Sequence, residues 1–262
     1  MIVAAKILDA FKINVSWLEV FDDDQKLHKK RVFGVDWVIF FGNIFLKFSN
    51  SKILMYPSVK YWKRWESYHF NLLHGDQYQC FDQKERELTF DILPGKTLLE
   101  LIKTKQFDRE VIKAVAIEFN RAHRTYSKLT NQNYSHGDPH LENFLYDQKS
   151  NKAYIIDFET CHEKHLNEAE RHADDILVFL LDCMGRLSET LFLDVLETFF
   201  SVYSYNEKTL LNLKKRLVVP TGLEKILWLT RTNYLGKKNL KKALLKIDQS
   251  IENTLIQNRL EF

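Results

Sequence analysis

Hydrophobic positions change their period along this chain near residue 90. Before that point aromatic and β-branched residues crowd into short runs between turn signals, and after it apolar residues recur at helical spacing over long stretches. Residues 31–41, then Gly42-Asn43, then residues 44–48 predict two strands joined by a tight turn, because Gly and Asn tolerate the positive φ of hairpin turns. Pro57-Ser58 predicts a helix start, with residues 59–73 packed on that sheet and Glu66 in the middle. Residues 87–93 have strand character and stop at Pro94-Gly95, after which Thr97 is the predicted N-cap of a helix. Val111, Val115, Phe119 and Ala122 mark one buried face of a helix over 108–123, and the pattern is again helical after 165. The expectation is an α+β fold with a sheet-and-helix first part, residues 1–93, and a mainly helical second part, residues 94–262.

Composition narrows the class. The chain has 262 residues, 45% hydrophobic and 28% charged, with 8 Gly and 4 Pro, which excludes disordered and collagen-like sequences. A net charge of +3 is too balanced to mark a nucleic-acid binder. Cys80, Cys161 and Cys183 form no C-x-x-C pair, so a disulfide framework and a zinc ribbon are both unsupported. The apolar start is cut by Lys6 and Asp9, and no uninterrupted apolar run approaches the roughly 18 residues of a membrane span, so the chain reads as cytoplasmic. Cys161, His162, His165 and His172 lack a second ligand pair and read as solvated or helix-facing rather than metal-binding. Between 208 and 246 there are eleven Lys or Arg against Glu224 alone, which offers peripheral contact with an acidic lipid or lipopolysaccharide surface. Interleaved Leu and Ile favour a solvated helical face there, with Trp228 and Tyr234 in core packing.

The chemistry-bearing segment is His136-Gly137-Asp138-Pro139-His140-Leu141-Glu142-Asn143, followed across a short polar turn by Ile155-Ile156-Asp157-Phe158-Glu159. Two carboxylates and an amide oxygen around one point suit Mg²⁺, nucleotide phosphates and an attacking hydroxyl. The segment resembles the catalytic loop and metal motif of the protein-kinase-like superfamily. His140, where protein kinases carry Lys, and Glu159, where they carry Gly, make it similar to the aminoglycoside phosphotransferase and choline kinase branch. The resemblance implies a two-lobed kinase-like fold, ATP and Mg²⁺ as cofactors, and transfer of the γ-phosphoryl group to a hydroxyl of a small molecule or saccharide. It assigns Asp138 to the acceptor hydroxyl, Asn143 and Asp157 to Mg²⁺, and His136 and His140 to bracing the loop.

The same resemblance extends over roughly residues 30–185. Lys47 matches the strand lysine that pairs with nucleotide phosphates, with Lys52 and Lys60 as competitors, and Glu66 matches its helix partner. The Phe-Leu-Lys run with Trp65-Glu66 is also similar to lipopolysaccharide core-sugar kinases. Residues 91–95, with Asp91 and Leu93, resemble the hinge that meets adenine, and Ala122-His123 resembles the end of the helix before the catalytic loop. Asp174 or Asp175 falls where an aspartate supports that loop. A Gly-rich phosphate loop is absent; the candidate is the polar run 22–30, with Asp22, Asp23 and Asp24 expected to face solvent. Rival readings are an atypical RIO-like protein kinase and a nucleotide-binding pseudokinase scaffold.

Overall fold

The computed structural model describes residues 13–21, 24–204 and 206–260. Strands β1 (Asn14–Phe21) and β2 (Asp24–Arg31) pair antiparallel, with Ser16 opposite Lys29 and Leu18 opposite Leu27. Helix α1 (Val35–Phe48) and the short strand β3 (Ile53–Met55) follow, then helix α2 (Val59–His74). Strands β4 (Cys80–Lys84) and β5 (Glu87–Asp91) complete a sheet of order β1-β2-β5-β4. Helix α2 buries Trp62, Glu66, Phe70 and Leu73, the three- and four-residue spacing of one helix face. That face brings Glu66 under the sheet.

The expected hairpin over 31–48 is not formed: residues 35–48 are helix α1, and the hairpin lies earlier, over residues 14–31. An unbroken apolar run does not by its period distinguish a strand from a helix. Val35 and Ile39, four residues apart, are the buried pair of α1, and Gly34 enters the helix at φ 82°. Asn43 makes no turn; its side chain donates to Met55 O at 2.7 Å and accepts from Met55 N at 2.9 Å, tying α1 to β3.

After β6 (Lys96–Thr97) the chain is mainly helical: α3 (Leu98–Lys103), α4 (Arg109–Arg124), α5 (Glu168–Arg186), α6 (Glu189–Val202), α7 (Glu207–Lys215), α8 (Gly222–Arg231) and α9 (Lys237–Leu260). Thr97 caps α3 as predicted, accepting from Glu100 N while Glu100 reaches back to Thr97 N. Between α4 and α5 run β7 (Tyr126–Ser127), β8 (Gln132–Asn133), β9 (Phe144–Asp147), β10 (Lys152–Ile155) and β11 (Thr160–His162). Strand β9 pairs with both β6 and β10, and β11 pairs with β3. The fold is therefore α+β.

Helix α5 is the axis of the second part, since every residue from Arg171 to Met184 is buried. Phe119 of α4 meets Phe144, Phe179 and Phe199 with ring centroids 5.1 to 5.4 Å apart. Aromatic packing of this kind contributes beyond the area it buries. It fixes α4, α5, α6 and β9 against one another and so sets the frame for the loop between β8 and β9. Trp228 lies in the core as expected, whereas Tyr234 is 39% exposed.

Candidate active site

A cleft of about 540 Å³ opens between the four-stranded sheet and the β9–β10 region. The period-two register of the first hairpin builds its roof, because Asn14, Ser16 and Leu18 on β1 face the same side as Leu27 and Lys29 on β2. Asp91, Ile92 and Leu93 line one edge, and Asn143, Ile156, Asp157 and Glu159 the floor.

Lys29 is the charged centre of this cleft. Its Nζ lies 2.7 Å from Glu66 Oε1 and 2.6 Å from Asp157 Oδ1, and it also contacts Glu159. Burial opposes the ammonium, but Asp157, Glu159 and Glu66 together outweigh it and hold the Lys29 pKa well above its ordinary value. Burial pushes Glu66 up to about 7 against the pull of Lys29. For Asp157 burial is overcome by Lys29, so that carboxyl stays below the usual range. Asp157 also occupies the left-handed region at φ 66°, a conformation that Asp tolerates better than most residues. Arg31 lies beneath, fully buried, stacked 4.4 Å from the Trp62 ring and 3.9 Å from Glu159.

The donor set suits a hard divalent cation. Oxygens of Glu66, Asp157 and Glu159 lie within 4.8 Å of one another. Three carboxylates face two cations, Lys29 and Arg31. Glu66 Oε2 is buried with no hydrogen-bond partner among the described residues. Such an all-oxygen donor set is of the kind Mg²⁺ takes.

The loop carrying Asp138 is held from below. Asp175 of α5, wholly buried, accepts from His136 N at 2.7 Å and Gly137 N at 2.6 Å, and the His123 Nε2–H donates to it at 3.0 Å. Of the two sequence candidates, Asp175 therefore supports the loop; Asp174 instead pairs with His162 at 3.1 Å and with Arg216. Gly137 sits at φ 89°, and a Cβ there would come within 3.0 Å of Thr160 Oγ1 and 3.1 Å of Ile53 Cγ2. His136 donates to Ile156 O at 2.8 Å and accepts from Asp138 N at 3.1 Å, which links the loop to the strand before Asp157. Burial holds His136 below its ordinary pKa, the state in which Nδ1 accepts. Asn143 donates to Asp138 O at 2.9 Å, leaving its amide oxygen as the atom with lone pairs to offer. His140 Nδ1 accepts from Glu142 N, and its Nε2 stands 3.9 Å from Asp138 Oδ2. Among the described residues the Asp138 side chain is otherwise approached only loosely, by Arg231 at 3.8 Å.

Glu66, Asp91, Leu93, Asn143 and Asp157 thus line one cleft, with His136 bonded to its floor at Ile156. Asp91 accepts from Lys26 Nζ at 2.6 Å and from Gln79 N at 2.7 Å. Lys47 does not join them: it is an exposed residue in the last turn of α1, and Lys29 stands against Glu66 in its place. Lys52 bonds Asn50 instead. The polar run proposed as a phosphate loop is the second half of the hairpin. Asp22 and Asp23 lie outside the described residues, and Asp24 begins β2. No apolar alternation marks this strand in the sequence, because Leu27, Lys29 and Arg31 alternate with Lys26, His28 and Lys30 and both sets are mostly basic. Of the histidines near Cys161, His162 bonds Ser135 and Asp174, His172 donates to Tyr134 O, and His165 is exposed.

No family model and no curated protein matches this chain. Among solved structures it is similar to WaaP in complex with acyl carrier protein, at 12% identity over 93% of this chain and 86% of that one, TM-score 0.38. It is also similar to Plasmodium vivax ethanolamine kinase, at 8% identity over 95% of this chain and 85% of that one, TM-score 0.41. A third likeness is to a spectinomycin phosphotransferase in complex with ADP and spectinomycin, at 11% identity over 94% of this chain and 90% of that one, TM-score 0.41. Among the described residues, no helix is long and apolar enough to cross a membrane.

Proposed function

We propose that this chain is a two-lobed, kinase-like phosphotransferase, dividing near residues 93–94, that moves the γ-phosphoryl group of ATP to a hydroxyl of a small molecule or saccharide. The observation that carries this reading is the contact of Lys29 with Glu66, Asp157 and Glu159 in a cleft also lined by Asp91, Leu93 and Asn143. In it, Lys29 holds phosphate oxygens and Glu66 orients Lys29. Asp91 and Leu93 border the base. Bound Mg²⁺, held by Asp157 and Asn143 with Glu159 beside them, would neutralise charge on the phosphates. Asp138 accepts the proton of the acceptor hydroxyl as its oxygen bonds to γ-phosphorus and the bond to ADP breaks. Its loose surroundings leave room for an acceptor, and His136 and His140 keep the loop in place. Catalysis is then mainly positioning and charge stabilisation. Three unpaired, buried cysteines support assignment to a reducing, cytoplasmic compartment.

The test is purified protein with Mg-ATP offered sugars, aminoglycosides, choline-like amines and lipopolysaccharide fragments, with phosphorylated product detected by mass. Product with any of these, lost in Asp138→Asn, supports the proposal. Label transfer to protein alone would favour the atypical protein kinase, and nucleotide binding without turnover on any acceptor the scaffold.

A further inference from the structure

A second, larger cavity of about 630 Å³ lies on the opposite face of α2 and shares no lining residue with the cleft. Its size falls in the range of small-molecule sites. Aromatic rings form much of its wall: Tyr56, Tyr61, Trp65 and Tyr134, with Tyr56 centred 5.4 Å from Trp65 and 6.2 Å from Tyr61. Its charged lining is Arg64, Lys164 and Arg171 against the single carboxylate Glu163, which is itself 3.4 Å from His165.

Arg171 is the residue that the fold alone does not explain. It is only 5% exposed, and one terminal nitrogen donates to Asn133 O and Ser135 Oγ, each at 3.0 Å. Its Nε and other terminal nitrogen have no hydrogen-bond partner, and it forms no ion pair, among the described residues. Asp175 and Glu168 favour this guanidinium from a distance but neither bonds it, and burial still lowers its pKa, so the desolvation cost is only partly repaid; native proteins rarely leave such donors idle. The two idle nitrogens form an edge of the planar fork, the geometry that grips carboxylate or phosphate through two parallel bonds.

We infer that this cavity is a binding site for a small ring compound bearing a phosphate or carboxylate, with the anion on Arg171, assisted by Arg64 and Lys164, and the ring against Trp65 and the tyrosines. This site is independent of the phosphotransferase reading. It adjoins the cleft through two neighbouring pairs: Trp65 faces the cavity while Glu66 faces Lys29, and Ser135 lines the cavity beside His136 of the loop.

The experiment is calorimetric titration of the full chain with phenyl phosphate, benzoate and glucose 6-phosphate, with phenol and inorganic phosphate as ring-only and anion-only probes. The expected result is saturable one-site binding of at least one ring anion, with phenol and phosphate each far weaker. Arg171→Gln should weaken it at least about tenfold, the loss of a charge-assisted pair. Because Arg171 also bonds two loop groups, Arg64→Gln with Lys164→Gln, both at exposed positions, is the companion variant and should weaken binding with unchanged thermal stability. Lys29→Ala should leave it intact. The inference is overturned if no ring anion binds saturably at millimolar concentration, if binding survives both sets of variants, or if Lys29→Ala abolishes it, which would place the ligand in the cleft.

Discussion

Asp157 and Asp138, nineteen residues apart in sequence, sit in opposite surroundings. Asp157 is clamped: Lys29 lies 2.6 Å away, Glu66 and Glu159 share that ammonium, and the backbone is held in the left-handed region. Among the described residues Asp138 is hydrogen-bonded only through its backbone, by His136, His140 and Asn143, and the ion pairs of its carboxylate are no closer than 3.8 Å. The difference teaches how the chain divides its electrostatics. In the proposed reading, the carboxylate assigned to a cation is kept charged by a resident lysine, whereas the one assigned to a hydroxyl is positioned by its peptide groups and left accessible. Asp175 makes the second arrangement possible, because a buried carboxylate that accepts two backbone N–H groups can hold a loop without touching the acting side chain.

The sharpest way to break the comparison is to remove that support. Asp175→Ala leaves two buried N–H groups and His123 without their acceptor, and should cost about 3–5 kcal/mol of stability, read from urea midpoints. Asp138→Asn should do the reverse, leaving the urea midpoint unchanged while lowering phosphoryl transfer at least about a hundredfold with ATP affinity near that of the parent. A smaller effect is expected at the junction of α1 with β3, where Asn43→Ala removes two bonds to Met55 and should cost about 1–3 kcal/mol in the same assay.

The smallest effect is graded by pH. His74 donates to Ile155 O at 2.8 Å, and burial lowers its pKa to about 4 from an ordinary 6.5. A base with a depressed folded pKa binds fewer protons than the unfolded chain, so its contribution is present above pH 6.5 and is lost as pH falls from there toward 4. His69 is lowered to about 4 in the same way. Thermal midpoints should therefore drop across that interval, and His74→Gln should flatten the slope by up to about 1.4 kcal/mol per pH unit.

The two halves of the site were unequally legible in the sequence. His136 to Glu159 is a contiguous segment whose order sets which groups share a loop, so Asp138, Asn143 and Asp157 stand as candidates on sequence alone. Asp175 was readable to within one residue, because helical spacing alone does not say which of two adjacent aspartates turns toward a loop. Lys47, expected on a strand, lies on a helix for a physical reason: residues 35–48 are apolar on most sides, so strand and helix give the same pattern, and Gly42-Asn43 carries a turn signal that the helix absorbs through the Asn43–Met55 bonds. The hairpin that holds Lys29 reads as a charged run, because its inward positions are Leu27, Lys29 and Arg31 rather than a stripe of apolar residues. The anionic-ligand cavity left no local signature at all, since its walls come from α2, the β7–β8 turn, β11 and α5.

The central claim, that Lys29 is the phosphate-holding lysine of a Mg-ATP cleft, is tested most directly by calorimetric Mg-ATP affinity of the parent, Lys29→Ala and Lys47→Ala. The account predicts binding by the parent, a loss of at least about tenfold for Lys29→Ala, as expected for a charge-assisted contact, and no change for the exposed Lys47→Ala. Parent-like affinity in Lys29→Ala, or a loss confined to Lys47→Ala, would contradict it.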